Sequence, residues 1–272
     1  MFSSFFVYSS NMSQSNIQII HECSDYIVIN KPAGLVVHSD GRTKEPTLVD
    51  WILKHYPEID GVGEDWSRED DMNVNVKKIV KRCGIVHRLD RDTSGAMVIA
   101  RTQTFFDFIK KQFQEHTVEK TYHAIVYGKV KQDSGVINAS IGKSPSDFRR
   151  WSAQRGARGV MRQAVTHYCV LGRYSFLAEG EEIKEYTYIE FRPETGRTHQ
   201  IRVHAKYMNH PIVADTLYAG SISKNNGNNV GFTHQALHAF ALSFFDIKGV
   251  KHEYKAPIPD DFKHALAILR SI

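Results

Sequence analysis

The chain has 272 residues, 42% of them hydrophobic and 24% charged, which suits a globular protein with a sizeable core and excludes a low-complexity or fibrous chain. A formal net charge of +5 and a pI near 9.0 suit an anionic partner. Three cysteines without disulfide or zinc spacing, and no stretch of membrane-spanning length, lead us to expect reduced thiols in a cytoplasmic protein.

Residues 1–15 begin with an apolar run that has neither a basic start nor an arginine. They read as a flexible tail rather than a targeting signal, with Met12 as a second candidate start. Residues 16–272 are expected to form one catalytic domain. Ile17 to Glu22 and Tyr26 to Asn30 read as strands around a Cys23-Ser24-Asp25 turn, and Lys31 to His38 as a strand broken by a Pro-Gly turn and resumed. Thr47 caps a helix from Leu48 to about His55. An acidic insertion at about 57–76 follows. The stretch Ile85 to Ala100 places apolar runs on either side of a polar knot and reads as strand, Thr93-Ser94-Gly95 turn, strand. That reading puts Asp90 at the end of a buried strand between Arg88 and Arg91.

Thr102 caps a helix with Phe105, Phe106, Ile109 and Phe113 on its apolar face. Strands are expected at Glu119 to Tyr127, Gly135 to Ile141, Ala164 to Leu171 and Glu185 to Arg192, with an acidic hairpin tip from Glu179. Gly196 closes a turn and Thr198 caps a helix carrying Ile201, Arg202 and Val203. A Ser/Asn/Gly-rich flexible loop at about 221–231 separates this from strands Ala236 to Phe245 and Lys251 to Lys255 and a terminal helix from Asp261 to Ile272.

Charge gathers in two places. Lys77, Lys78, Lys81, Arg82, Arg88 and Arg91 crowd the approach to Asp90, and Lys143, Arg149, Arg150, Arg155, Arg158 and Arg162 surround Trp151. Basic side chains with an interleaved aromatic suit a phosphate backbone with exposed bases. The fourteen histidines show no ligand spacing, so no metal is expected.

Four landmarks in order resemble the RluA family of RNA pseudouridine synthases. They are Lys31-Pro32-Ala33-Gly34-Leu35-Val36-Val37-His38, His87-Arg88-Leu89-Asp90 with Thr93-Ser94-Gly95, Lys120-x-Tyr122, and Gly196-Arg197-Thr198-His199-Gln200-Ile201-Arg202-Val203-His204 with Pro211-Ile212 downstream. Two departures are Ala214, where glycine is usual, and Ala219 between Tyr218 and Gly220. The resemblance implies an α+β fold, with a mixed, mostly antiparallel central sheet flanked by helices and a basic cleft. It implies isomerisation of uridine in RNA to its carbon-linked isomer without cofactor. Asp90 would attack the sugar C1′ or take its C2′ proton, Arg202 would pair with Asp90, and Tyr122 would stack on the uracil and help remove the C5 proton. His87 and Arg88 would bind substrate, Arg88 filling the gap left by the flipped base, and Ile201 or Val203 would pack on that base. Arg149, Arg150, Arg155 and Arg158 would contact phosphates.

With only a short tail ahead of the first strand, the S4 domain of some family members is not expected. The expected partner is ribosomal or transfer RNA, with large-subunit ribosomal RNA favoured on Cys83-Gly84-Ile85-Val86, and the protein is expected to act as a monomer away from membranes. Two rivals are a non-catalytic RNA-binding module of the same fold and a retaining glycosidase or nucleosidase. The second would need another carboxylate as acid; Asp92 is a variable position and Asp215 is far along the chain.

Overall fold

The computed structural model describes residues 17–39, 45–64, 66–67, 79–80, 82–177, 183–220 and 230–272. The expected tail, Lys77, Lys78 and Lys81, most of the acidic insertion, the hairpin tip around 178–182 and the loop 221–229 lie outside those residues.

Period-2 alternation builds the first half of the sheet. Strands β1 (Gln18–Glu22) and β2 (Tyr26–Lys31) form a hairpin, and β2 pairs antiparallel with β5 (Ser94–Ala100), every residue of which is buried. Ile27, Ile29, Met97 and Ile99 face helix α1 (Leu48–His55), packing on Leu48, Trp51 and Ile52. The alternate set Tyr26, Val28, Ala96, Val98 and Ala100 faces helix α2 (Gln103–Gln114), meeting Phe105, Phe106 and Ile109. Each of those large apolar side chains contributes about 1.5–3 kcal/mol on burial, so a register slip would expose both layers at once. Both helices start where the side chains demand. Thr47 and Asp50 form a reciprocal capping box, and the Thr102 hydroxyl accepts from the Phe105 amide.

Between these lie a short hairpin, β3 (Trp66–Ser67) with β4 (Ile79–Val80), and after α2 comes β6 (Glu119–Tyr127). Then follow β7 (Ser134–Asn138), β8 (Ile141–Lys143), β9 (Trp151–Ser152), β10 (Arg158–Arg162), β11 (Val165–Phe176), β12 (Lys184–Pro193), helix α3 (Gln200–Tyr207), β13 (Leu237–Phe245), β14 (Lys251–Lys255), helix α4 (Asp260–Ile268) and β15 (Arg270–Ser271). The main sheet runs β1-β2-β5-β13-β6-β12-β11-β15, with β14 paired to β13 and β7 to β11. Among the described residues only β5 and β13 pair parallel. A side chain at Gly95 would meet the Ala239 carbonyl oxygen at 2.2 Å, so this contact needs glycine there, at φ 120°. Strands β8, β9 and β10 form a separate small sheet, the arm that carries the second basic cluster. The fold is thus the expected α+β, mixed and mostly antiparallel.

Several local expectations need correction. Residues 86–93 are loop, not strand, with one isolated bridge between Ile85 and Ile99; the turn is Asp90 to Thr93, closed by the Thr93 amide on the Asp90 carbonyl at 3.1 Å. Polar spacing with an acid and two arginines favours backbone turns over a ladder. No strand resumes after the Pro32-Gly34 turn. The strand expected from Gly135 to Ile141 is split between β7 and β8. The last helix ends at Ile268, and the tail returns as β15 on β11.

Ala214, the departure from glycine, sits at φ 57°. A left-handed conformation costs a non-glycine residue about 1–2 kcal/mol. Ala214→Gly is expected to raise unfolding free energy by about 0.5–1 kcal/mol, once the greater freedom of glycine in the unfolded chain is offset. Urea denaturation of the two proteins checks this, and a loss of stability would show that the Ala214 methyl contributes packing that outweighs the strain.

Candidate active site

Asp90 stands in the loop that feeds β5, and the loop is pinned from several directions. Lys31, fully buried at the end of β2, donates from Nζ to the carbonyls of Pro32, Leu35 and Arg91 at 2.8, 2.9 and 2.9 Å. Burial lowers its proton affinity to about 7, against the attraction of Asp92 and Asp90, yet three carbonyl acceptors are all served only by an ammonium with three N–H bonds. Gln235 Nε2 donates to Thr93 Oγ1 at 2.7 Å, and Ser94 Oγ pairs with His238 Nδ1 at 2.8 Å. The residue after each end of the turn is therefore tied to β2 or to the start of β13.

Arg202 is the hub. It lies on the first turn of α3, where it is 8% exposed. Its Nη1 donates to Asp90 Oδ2 at 2.8 Å, while Nε and Nη2 make a bidentate pair with Asp215 at 2.7 and 2.9 Å. The expected pair with Asp90 is present through a single branch, and the two-pronged grip of the fork closes on Asp215. It also treated Asp215 as remote, and here the two carboxylates share one guanidinium. Asp215 is held in turn by the Leu217 and Tyr218 amides, both donating to Oδ1 at 3.0 Å. Burial works against the Arg202 charge, but the hydrogen bonds and charges of Asp215 and then Asp90 hold its proton more tightly than normal. Asp215 has a fully buried side chain and does not line the cleft, so it is not a free acid for a glycosidase.

The cleft over this hub is lined by Asp90, Arg88, Lys120, Tyr122, Arg197, His199, Ile201, Arg202 and Leu237 among others. Strand β6 delivers Lys120 and Tyr122 on the same face, two residues apart. Burial, and then the Asp90 charge, raise the Tyr122 pKa, so the free protein presents a neutral phenol. Exposed Arg88 lies at the rim, with Nη1 3.5 Å from His38 Nε2.

Two expected contacts are absent from the cleft. His87 faces inward: its Nε2 accepts from the Val98 amide at 3.1 Å and its ring stacks on Phe113, with centroids 4.7 Å apart. Burial lowers its pKa to about 3, so it is a neutral packing group rather than a substrate ligand. Val203 packs with Ile141, Ala164 and Tyr218 on the far side of α3; of the expected pair only Ile201 reaches the cleft. Nor does Thr198 cap α3. His199 occupies the N-cap without a side-chain cap, and Gln200 brackets the turn by accepting from Thr195 Oγ1 and the Arg197 amide at 2.8 and 3.0 Å.

The arm behind α3 holds Arg149, Arg150, Arg155 and Arg158. Lys143 Nζ lies 4.1 Å from the Trp151 ring centroid, and Arg150, Trp151, Arg155 and Lys206 line a hollow there. Asp147 engages Arg149 bidentately at 3.1 and 2.9 Å, an acid the sequence reading had not weighed. Residues the motif search left without a role, Lys31, Asp215, His199 and Tyr218, are polar groups that each have a partner remote in sequence.

A carboxylate presented by a buried arginine at the floor of a basic, aromatic-lined cleft defines a site built to act on an anionic polymer carrying bases. The chain matches RNA pseudouridylate synthase over residues 25–207 and belongs to that family, whose members isomerise uridine in RNA to pseudouridine. It is 39% identical over 257 residues to the Uncharacterized RNA pseudouridine synthase slr1629 of Synechocystis, covering 93% of this chain and 69% of that protein. It is 38% identical over 261 residues to Ribosomal large subunit pseudouridine synthase D of Neisseria meningitidis, covering 93% of this chain and 61% of that one. The fold is shared with Human RNA Pseudouridylate Synthase Domain Containing 1 (TM-score 0.71, 23% identity, 96% of this chain and 90% of the other).

Among the described residues no helix is long and apolar enough to cross a membrane, and no cluster of three or more His, Cys, Asp or Glu is placed to hold a metal ion. Lys120 gives the cleft a titration of its own: burial lowers its pKa to about 8. Rising pH through that value removes a positive charge, so RNA affinity is expected to fall by about threefold between pH 7 and 9. The Lys120→Met protein is expected to lack this decline in binding titrations; an identical pH profile would contradict the assignment.

Proposed function

We propose that the chain isomerises uridines in large-subunit ribosomal RNA and that Asp90 is the reacting carboxylate. The observation that carries the assignment is the 2.8 Å hydrogen bond from Arg202, which aims the Asp90 carboxylate into a cleft where Tyr122 and Ile201 supply an apolar wall for a base. The ribosomal target is supported by the name of the Neisseria relative. In the reaction the bond from uracil N1 to C1′ breaks, the base turns, and C5 bonds to C1′. The C5 proton leaves and N1 gains one, so nothing is oxidised and no group leaves the RNA. Asp90 serves either as nucleophile at C1′ or as base at C2′. Tyr122, a neutral phenol, stacks on the uracil; as a C5 base it would first have to lose its own tightly held proton.

The target base reaches this cleft only after leaving its stack, and Arg88 at the rim fills the space it vacates. The arm grips the flanking strand through Arg150, Arg155 and Arg158 together with Phe148, an aromatic side chain 86% exposed beside them. Asp147 holds Arg149 bidentately and Arg150 by one 3.3 Å contact, so Arg149 contributes least. The reading keeps a cytoplasmic location and a chain that acts alone.

Asp90→Asn tests the proposal directly. The variant keeps the shape and can still accept from Arg202, so it should fold and bind RNA at least as tightly as wild type. Pseudouridine formation, followed by mass spectrometry on large-subunit RNA, is expected to fall by more than about a thousandfold, with about the salt dependence of binding unchanged. Arg150→Ala with Arg155→Ala should do the reverse, flattening the salt dependence while sparing single-turnover chemistry at saturation. Turnover by folded Asp90→Asn protein would sink the assignment.

A further inference from the structure

His199 is strained, nearly buried and beside Asp90, yet the chemistry above does not use it. It sits at φ 56° and ψ 22°, left-handed for a residue with a side chain, and its side chain caps nothing. Such strain in a non-glycine residue at a cleft marks a position that the surrounding structure holds for a purpose. The hydrogen bonds around it fix its tautomer. The Trp151 amide must donate, and it does so to Tyr218 Oη at 3.0 Å. That oxygen, already accepting, has its own proton to give, and its partner at 2.8 Å is His199 Nδ1. With that proton given to Nδ1, the ring proton is left for Nε2, on the side that faces the Asp90 carboxylate. Burial lowers the His199 pKa, against the pull of Asp90, which keeps the ring neutral.

The Nε2–H bond so fixed faces Asp90 Oδ2 across 3.8 Å. That is too long for a direct hydrogen bond and leaves room for one oxygen atom in contact with both groups. The pair offers a donor and an acceptor side by side, which a single hydroxyl can satisfy from both ends. We infer that His199 Nε2–H and Asp90 Oδ2 together hold the 2′-hydroxyl of the target nucleotide, making His199 a specificity-determining residue that tells ribose from deoxyribose. The hydroxyl donates to the carboxylate and accepts from the imidazole. This inference rests on Asp90 acting on the sugar of a flipped uridine, as proposed above.

The test compares wild type with His199→Asn and His199→Gln on one synthetic RNA carrying a uridine that wild type modifies, with ribose or 2′-deoxyribose at that nucleotide only. Asparagine tolerates the left-handed backbone and places its amide oxygen where Nδ1 lay, still accepting from Tyr218, but it reaches no further, so the donor at Nε2 is lost. Glutamine reaches the Nε2 position with an N–H bond. The intrinsic effect of the deoxy sugar on reactivity is common to all three enzymes, so the ratio of ribose to deoxyribose kcat/KM, compared between proteins, isolates the contact. Wild type preference for ribose is expected to fall about tenfold in His199→Asn, the worth of one hydrogen bond, and to stay within about threefold in His199→Gln. Tyr218→Phe, which leaves His199 in place and frees its tautomer, lowers the preference in the same direction. His199→Asn with the full wild-type preference, in a protein that melts cooperatively, overturns the inference alone. Failure of wild type to isomerise any ribose-containing RNA overturns instead the reading on which it rests.

Discussion

One guanidinium shared by two carboxylates is the interaction on which the rest of the structure depends. Arg202 is buried, so its charge needs compensation, and Asp215 supplies most of it through a bidentate pair. The third branch, Nη1, is left for Asp90. Placing a carboxylate this way costs nothing in mobility, because the arginine is already fixed before Asp90 is engaged. Asp215 is fixed in its turn by two amides of its own loop, and that loop is threaded between strands: the Val213 amide donates to Ile125 and the Ala236 amide to Val213, both at 2.9 Å. The Asp90 carboxylate is thus referred, through two charged residues, to the backbone of the central sheet.

The second support comes from the other side of Asp90. Lys31 joins the Pro32-Gly34 turn to the carbonyl of Arg91, and Gln235 joins Thr93 to the start of β13. Strand β5 is anchored on both faces by α1 and α2, so the loop leaves a rigid edge. Buried His204 bridges Thr166 Oγ1 and the Ala139 carbonyl at 2.9 and 3.0 Å, locking α3 onto the strands beneath it. The polar residues of the landmark stretches divide accordingly. Asp90, Tyr122 and His199 meet the cleft, His87 and His204 keep the walls in register, and Gln200 lines the cleft while bracketing the turn before α3.

Periodicity carried the strands and helices well where one face is apolar, as in β2, β5, α2 and β6. It failed at residues 86–93, where the apolar residues Val86 and Leu89 pack from a loop and no ladder forms. The resemblance named Asp90, Tyr122 and Arg202, and all three meet in one cleft. It gave His87 to the substrate, whereas the ring turns onto Phe113 and the Val98 amide: a motif names a residue type and not the direction of its side chain. Asp215, Lys31 and His199 could not be read from the chain for a different reason. The guanidinium that Asp215 holds lies 13 positions away, the Tyr218 partner of His199 lies 19 away, and Lys31 serves backbone carbonyls, so only the fold brings donor and acceptor together. Ala214 was visible as a departure from glycine, and its left-handed backbone explains why glycine suits that place.

The most direct test of this account is the single-turnover rate of the Asp215→Asn protein on its RNA. The new amide nitrogen faces Arg202 Nε, donor against donor, so the fork opens and Nη1 no longer holds Asp90 in line, although Asp215 itself never meets substrate. The account predicts a folded protein whose RNA affinity stays within about threefold and whose rate falls by at least about a hundredfold. A folded Asp215→Asn protein turning over at the wild-type rate would contradict it.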